Sequence, residues 1–232
     1  ILDISTGVGT VLNTYTNESK TLVGQDRHAG VIYMQQLLDI IRFGDPRRKL
    51  SESDSLQQYR PDWKNRFDVV ICDSPFNSKP RPELIQKNDE RWKFFKQTSN
   101  QAQTDYWIQT ALAYLRTTNE KQTGVFRGIV VIPSGWLFNG NEQAMREALV
   151  SAGHIEAVIE LGGGLYSGTA IPVNLLILRN TNPPIKQVRV IDATDLGALV
   201  RGRRKLGSSD IAKIVAALTA DTKENQSTAN LE

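Results

Sequence analysis

Short apolar runs rich in β-branched residues recur along this chain, and stretches with helical spacing fall between several of them. Val69-Val70-Ile71 within Phe67–Cys72, Gly128–Pro133, Ile155–Leu161 and Val173–Leu178 are the clearest. A run apolar on both sides of the pleat suits a strand buried on both faces, as in a parallel sheet between helical layers. Thr21–Asp26 and Val188–Asp192 read as further strands, and a short strand or loop is expected to end near Asp54. Helical spacing runs from about Ala29 to Arg42 (Val31, Met34, Leu37, Leu38, Ile41), from Asp105 to Tyr114, and from Glu142 to Ser151. Ser209 is expected to cap a last helix with Ile211, Ile214, Val215 and Leu218 on one face. The alternation predicts an α/β fold with a doubly wound, mostly parallel sheet covered on both faces.

Composition narrows the setting. The 232 residues are 40% hydrophobic and 23% charged, enough to bury a substantial core. No apolar run nears the roughly 20 residues of a membrane span, so no membrane is expected and the cytoplasm is the default location. A net charge of +3 permits a nucleic-acid partner without arguing for one. The single cysteine, Cys72, excludes an internal disulfide and a multi-cysteine zinc site. Within an apolar strand it reads as a packing residue. His28 and His154 lie far apart, so no metal site is expected. The chain opens inside a strand, which leads to the expectation that sequence upstream of Ile1 has been lost and that Leu231-Glu232 is a remnant of excision.

Acids stand where predicted strands end, the edge at which open α/β sheets bind ligands. Asp3 is followed by a glycine turn at Gly7 and Gly9 and an expected helix start by Leu12, Asp26 closes the second strand, and Asp54 precedes the strand with Val69-Val70-Ile71. Asp73-Ser74-Pro75-Phe76-Asn77 closes that strand. A dinucleotide fingerprint would need a glycine where Leu12 stands, and a phosphate-cradling loop would need a lysine followed by Ser or Thr. Neither is present. A compact ligand with a ribose and a charged amino-acid end fits better, with Asp3 facing an amine and Asp26 two ribose hydroxyls; S-adenosylmethionine carries both groups. At Asp73 a flat, amine-bearing heterocycle would stack on Phe76 while its amine donates to the carboxylate and a neighbouring carbonyl. Asp, Ser and Pro are also ordinary turn formers.

These motifs carry a resemblance. Asp3–Leu12 resembles the first motif of adenine-N6 DNA methyltransferases, and Asp73-Ser74-Pro75-Phe76 resembles their catalytic tetrapeptide. The chain is most similar to the modification subunit of type I restriction-modification systems. Ile132-Pro133-Ser134-Gly135, Leu137-Phe138, Val158–Leu161, Tyr166–Pro172 and Arg203–Leu206 extend that likeness across nearly the whole chain. The resemblance implies a Rossmann-like, S-adenosylmethionine-dependent fold, with residues 1–200 as catalytic core and 201–232 as basic segment, last helix and tail. It implies Asp3, Gly7 and Gly9 on the methionine end of the cofactor, Asp26 on the ribose and Asp54 on the cofactor's adenine amine. Asp73 and the Ser74 carbonyl would accept from the target amine, with Pro75 shaping the loop and Phe76 stacking on the base. Asn77, next in line, is assigned to substrate. The implied partners are double-stranded DNA with a flipped adenine and the specificity and restriction subunits of a complex.

The pattern also departs from the family. Asp73 stands where this subfamily usually has Asn, and Ser74 replaces a proline. Ile4-Ser5-Thr6 replaces Pro-Ala-Cys, and Leu161-Gly162-Gly163 replaces Leu-Pro. A weak or inactive core is therefore expected of the chain by itself. Two other readings stay open: a catalytically degenerate module that keeps cofactor or DNA, and a methyltransferase acting on cytosine N4 or on RNA.

Overall fold

The computed structural model describes residues 1–15, 20–74, 89–94, 104–166, 170–220 and 229–230. The elements are β1 (Leu2–Asp3), β2 (Val23–Asp26), α1 (Ala29–Phe43), β3 (Lys49–Glu52), β4 (Val69–Cys72), α2 (Thr104–Tyr114), β5 (Thr117–Thr118) and β6 (Arg127–Pro133). They continue with α3 (Gln143–Ser151), β7 (Ile155–Leu161), β8 (Val173–Leu178), β9 (Asn180–Thr181), β10 (Arg189–Ala193), β11 (Ala198–Val200), β12 (Arg203–Lys205), α4 (Ser208–Thr219) and β13 (Ala229–Asn230). Among the described residues, nine strands form one sheet in the order β13-β10-β7-β8-β6-β4-β1-β2-β3. All neighbours pair in parallel except β8, which runs antiparallel between β6 and β7. The doubly wound, mostly parallel sheet is therefore as expected.

Alternate residues of the central strands serve opposite layers, which is why those runs are apolar throughout. Val130, Ile132 and Leu176 face the core that holds Ile108, Leu112 and Leu149 of α2 and α3. Ile129, Val131 and Ile177 face the other, which holds Ile214 of α4. The 200/201 division falls inside the β11–β12 hairpin, and α4 packs on the same sheet as the rest of the chain.

Three local expectations are corrected. The glycine turn leads into a single 3-10 turn, Leu12–Thr14, rather than a helix; Asn13, Thr14 and Tyr15 are weak helix formers. The last helix has Gly207 at its N-cap, not Ser209, and the Asp210 carboxylate accepts from the Gly207 amide at 2.8 Å. The third correction concerns α1, which is amphipathic in the opposite sense to its sequence pattern. Its buried residues are Ile32, Gln35 and Asp39, whereas Leu37 is 59% and Ile41 77% exposed. A polar network turns the helix this way. The buried Arg48 guanidinium forks onto Asp39 at 2.5 and 2.9 Å and reaches Gln35 and Asn13. Breaking that buried pair by removing one partner would leave an uncompensated charge, a larger cost than leaving aliphatic carbons wet.

Candidate active site

Asp3, Asp26 and Asp73 close three adjacent strands, β1, β2 and β4, at one edge of the sheet. Asp3 is 2% exposed, accepts the Ser5 amide at 3.1 Å, and has no cation paired with it among the described residues. Burial first, then repulsion from Asp73 and Asp26, pushes its pKa up to about 7 against the pull of the Ser5 amide.

The glycine turn hangs from Asp26. One carboxylate oxygen accepts the Gly7 amide at 2.9 Å, and the other accepts the His28 amide at 2.9 Å where α1 begins. Gln35 of α1 donates to the Gly7 carbonyl at 2.6 Å. Both glycines need their left-handed backbone, with φ of 51° at Gly7 and 79° at Gly9. Their surroundings differ. A Cβ on Gly7 would meet open space, whereas one on Gly9 would strike Gln35 and come within 2.7 Å of Arg48 Nη1. Gly7 thus leaves an open backbone face, while Gly9 makes room for the α1 network.

On the neighbouring strand, the Tyr166 hydroxyl donates to Asp73 Oδ1 at 2.6 Å. Burial raises the Asp73 pKa, and this hydrogen bond offsets part of the rise. Cys72 is fully buried with its thiol pushed up to about 12, as a packing residue should be. Ser74 is also buried. Pro75, Phe76 and Asn77 lie outside the described residues, as does the polar loop through Lys79 and Arg81.

Asp54 is committed locally. Its Oδ1 accepts the Leu56 and Gln57 amides at 3.0 and 3.3 Å, and its Oδ2 accepts Gln57 Nε2 at 2.9 Å. The turn it caps is tied to β1 by Ser55 Oγ donating to the Ile4 carbonyl at 2.6 Å. A second tie comes from Arg91, which is buried and donates to the Ser55 and Leu56 carbonyls at 2.6 and 2.7 Å. Arg91 also pairs with the buried Asp89 at 2.6 Å, reaches Thr110 of α2, and stacks 4.4 Å over the Trp92 ring.

The N-6 DNA methylase family matches residues 8–232. This chain belongs to that family. Among curated family relatives it is 25% identical over 166 residues to the methylase subunit of the HindI type I restriction enzyme of Haemophilus influenzae. That match covers 69% of this chain and 36% of the relative. The MpnII methylase subunit of Mycoplasma pneumoniae is 24% identical over 165 residues, covering 69% and 29%. The chain thus spans about a third of each curated relative's length. In fold it matches the type I restriction-modification methyltransferase subunit of Streptococcus thermophilus, with a TM-score of 0.81 and 23% identity over 94% of this chain and 46% of that one. A Listeria monocytogenes protein provisionally assigned to the class I S-adenosylmethionine-dependent methyltransferases matches at a TM-score of 0.67 and 20% identity, covering 94% and 62%. The fold is the Rossmann-like fold of that class. Among the described residues, no helix is long and apolar enough to cross a membrane.

For a member of this family, the residues present suit S-adenosylmethionine at the cationic end. Asp3, a buried carboxyl with no cation paired to it among the described residues, ends the strand that leads into the open glycine backbone at Gly7. Asp26 keeps lone pairs for further donors, since each oxygen serves one amide. Asp54 is less free, because Gln57 shares its outward oxygen. Two residues of this site are not marked as site members by the sequence. Tyr166 stands in the Tyr166–Pro172 segment without a role of its own there; a chain separation of 93 residues hides its bond to Asp73. Arg91 does not stand out, since its partners are largely backbone carbonyls, which leave no trace in a motif.

Proposed function

We propose that this chain is the catalytic core of an adenine-N6 DNA methyltransferase, the modification subunit of a type I restriction-modification system. In this reading it takes its methyl group from S-adenosylmethionine and acts in the cytoplasm on double-stranded DNA with a flipped adenine. Specificity and restriction subunits complete the assembly. The observation that carries the proposal is the convergence of Asp3, Asp26 and Asp73 on one sheet edge, with Asp3 buried and paired with no cation among the described residues.

Each acid has a part. Asp3 takes the cofactor's ammonium and Gly7 lets its amino-acid end approach the backbone. Asp26 accepts from the ribose, and Asp54 turns an oxygen to the adenine amine as Gln57 yields. Bound there, S-adenosylmethionine would supply an electrophilic methyl group for the adenine N6 lone pair, with the neutral thioether as leaving group and one N6 proton lost to solvent. The lone pair of N6 is normally delocalised into the ring. Asp73 and the Ser74 carbonyl accept hydrogen bonds from its two N–H groups, favouring a tetrahedral nitrogen with the pair aimed at the methyl. Tyr166 fixes which Asp73 oxygen is free, since Oδ1 is already engaged. Phe76 stacks on the flipped base, with Pro75 and Asn77 shaping the loop and lining the substrate.

The test is transfer of labelled methyl from S-adenosylmethionine to adenine in DNA by the assembled complex, alongside its Asp73→Ala and Phe76→Ala variants. Both variants should keep cofactor affinity within a few-fold and lose most transfer. Unchanged turnover in either sinks its assignment. Cofactor binding without transfer by the unaltered complex would favour the degenerate module, and label on cytosine or RNA would favour a different amine.

A further inference from the structure

The β11–β12 hairpin plays no part in the chemistry above, yet its construction is unusual. It turns through Arg201 and Gly202 with φ of 52° and 77°, the left-handed pair that a tight two-residue hairpin needs. Gly, Asn and Asp ordinarily fill the first of those positions, so a long cationic side chain there is held at the tip against conformational preference. Beside it, Leu199 is 76% and Val200 49% exposed. Arg201, Arg203 and Lys205 are exposed too, and the segment from Ala198 to Leu206 contains no acid.

The two faces of the hairpin differ. Ala198, Val200 and Lys205 border a hollow of about 1010 Å³ whose lining mixes Asp192, Asp195 and Asp210 with Lys205 and Lys213, and Arg203, paired with Val200, shares their face of the hairpin. Leu199 and its cross-strand partner Arg204 occupy the opposite face. There the Arg204 amide donates to the Gly164 carbonyl at 3.0 Å, and a Cβ on Gly162 would come within 2.9 Å of the Arg204 guanidinium. Arg204 Nη1 donates back to the Leu196 carbonyl at 2.9 Å, so this arginine braces the hairpin rather than reaching outward. The Gly162–Gly164 turn it braces against stands two residues before Tyr166, whose hydroxyl grips Asp73.

We propose that this hairpin is a DNA-contacting wedge. Arg201 and Arg203 neutralise backbone phosphates, and Leu199 presses on the unstacked step beside the extruded nucleotide. Arginines beside an exposed aliphatic side chain match the chemistry of proteins that insert apolar wedges between base steps. The attachment to the Tyr166 loop brings that wedge to the side of the sheet where the target base would be held. The inference rests on the DNA methyltransferase reading and adds an interaction which that reading does not require.

The experiment uses the assembled full-length complex and fluorescence anisotropy on two duplexes, one intact and one with a single mismatched pair, across a salt series. Arg201→Gly, which relieves the left-handed strain, combined with Arg203→Ala should lower the slope of log affinity against log salt by about 1.8, roughly 0.9 for each phosphate no longer neutralised. Leu199→Ser should leave that slope unchanged and abolish the preference for the mismatched duplex, whose bases unstack most easily. Unaltered slope and unaltered preference in both variants overturn the proposal. It is also overturned if the variants fail to co-purify with their partner subunits while DNA affinity per assembled complex stays the same, since the hairpin would then be a protein-binding element. A complex that binds DNA with the predicted slope changes but transfers no methyl would refute the enzymatic reading and leave the wedge standing.

Discussion

The Tyr166 hydroxyl donates to Asp73 Oδ1 across 2.6 Å, joining the loop after β7 to the end of β4 although 93 residues separate them. A carboxylate held by one oxygen presents the other in a fixed direction. Tyr166→Phe should therefore lower kcat by about tenfold while leaving cofactor affinity unchanged. The hydrogen bond pulls the Asp73 pKa down against its burial. Removing it raises that pKa, so the acidic limb of the kcat profile should move to higher pH. An unshifted limb would mean that Tyr166 does not act through Asp73.

Asp73 replaces the asparagine usual in this subfamily. If its task is to accept hydrogens from an amine, Asp73→Asn keeps an acceptor oxygen, adds a donor and removes the need for ionisation. Transfer by Asp73→Asn should persist within about tenfold of the unaltered protein and lose its acidic limb. Single-turnover methyl transfer across pH measures both; a dead Asn variant would argue for an ionic role for Asp73.

If Asp3 holds the cofactor's ammonium as proposed, cofactor binding should be sensitive to pH. Its pKa is raised from 3.8 to about 7 by burial, so without cofactor it is largely protonated in mildly acidic solution. Pairing with an ammonium requires the carboxylate, so binding below that pKa releases a proton. Affinity should tighten by up to about tenfold per pH unit from about pH 5.5 to about 7 and then level off. The cofactor-free protein should behave oppositely: because the folded state holds the proton more tightly, stability falls as pH rises from about 4 to about 7. Calorimetric titration and urea melts across this range check the two slopes, and Asp3→Asn should flatten both.

Arg91 links two turns through a buried ion pair. Replacing it with alanine leaves Asp89 buried and charged, and strips the Ser55 and Leu56 carbonyls of their donors. The loss should be about 3–5 kcal/mol in urea unfolding. Arg91→Lys should recover little of it, since one ammonium cannot span two carbonyls and a bidentate carboxylate.

The two glycines of the first turn should separate stability from binding. Gly9→Ala meets both a left-handed backbone and the Gln35 and Arg48 side chains, so it should unfold more easily by well over the ~1–2 kcal/mol of the backbone alone. Gly7→Ala meets open space and should lose about that backbone amount, but its new methyl would stand where the cofactor approaches and weaken binding. Equal cofactor affinity in Gly7→Ala and the unaltered protein would remove Gly7 from the site.

The central sheet is legible in the sequence because its strands are apolar on both faces; Ile155–Leu161 and Val173–Leu178 fall where the runs do. The short pairs β5 and β9 and the hairpin β11–β12 are not, since two or three residues carry no periodicity. The acids at strand ends are visible because topology alone brings Asp3, Asp26 and Asp73 together. Bonds made through backbone carbonyls, as at Arg91, or by a side chain distant in sequence, as at Tyr166, have no local pattern to read. The α1 face is misread for a related reason. Hydropathy spacing is blind to a buried arginine–carboxylate pair.

That inverted helix changes what sequence variation can mean here. At most surface helices, polar positions drift and apolar ones are constrained. Along α1 the constraint falls on Gln35 and Asp39, together with Arg48 beyond the helix, while Tyr33, Met34, Leu37 and Ile41 project away from the sheet. A substitution matrix that rewards keeping hydrophobes would therefore rank variants of this helix backwards. A polar replacement at Leu37 leaves the fold alone, whereas an apparently conservative Asp39→Glu must fit an extra methylene into the tightest polar joint of the helix.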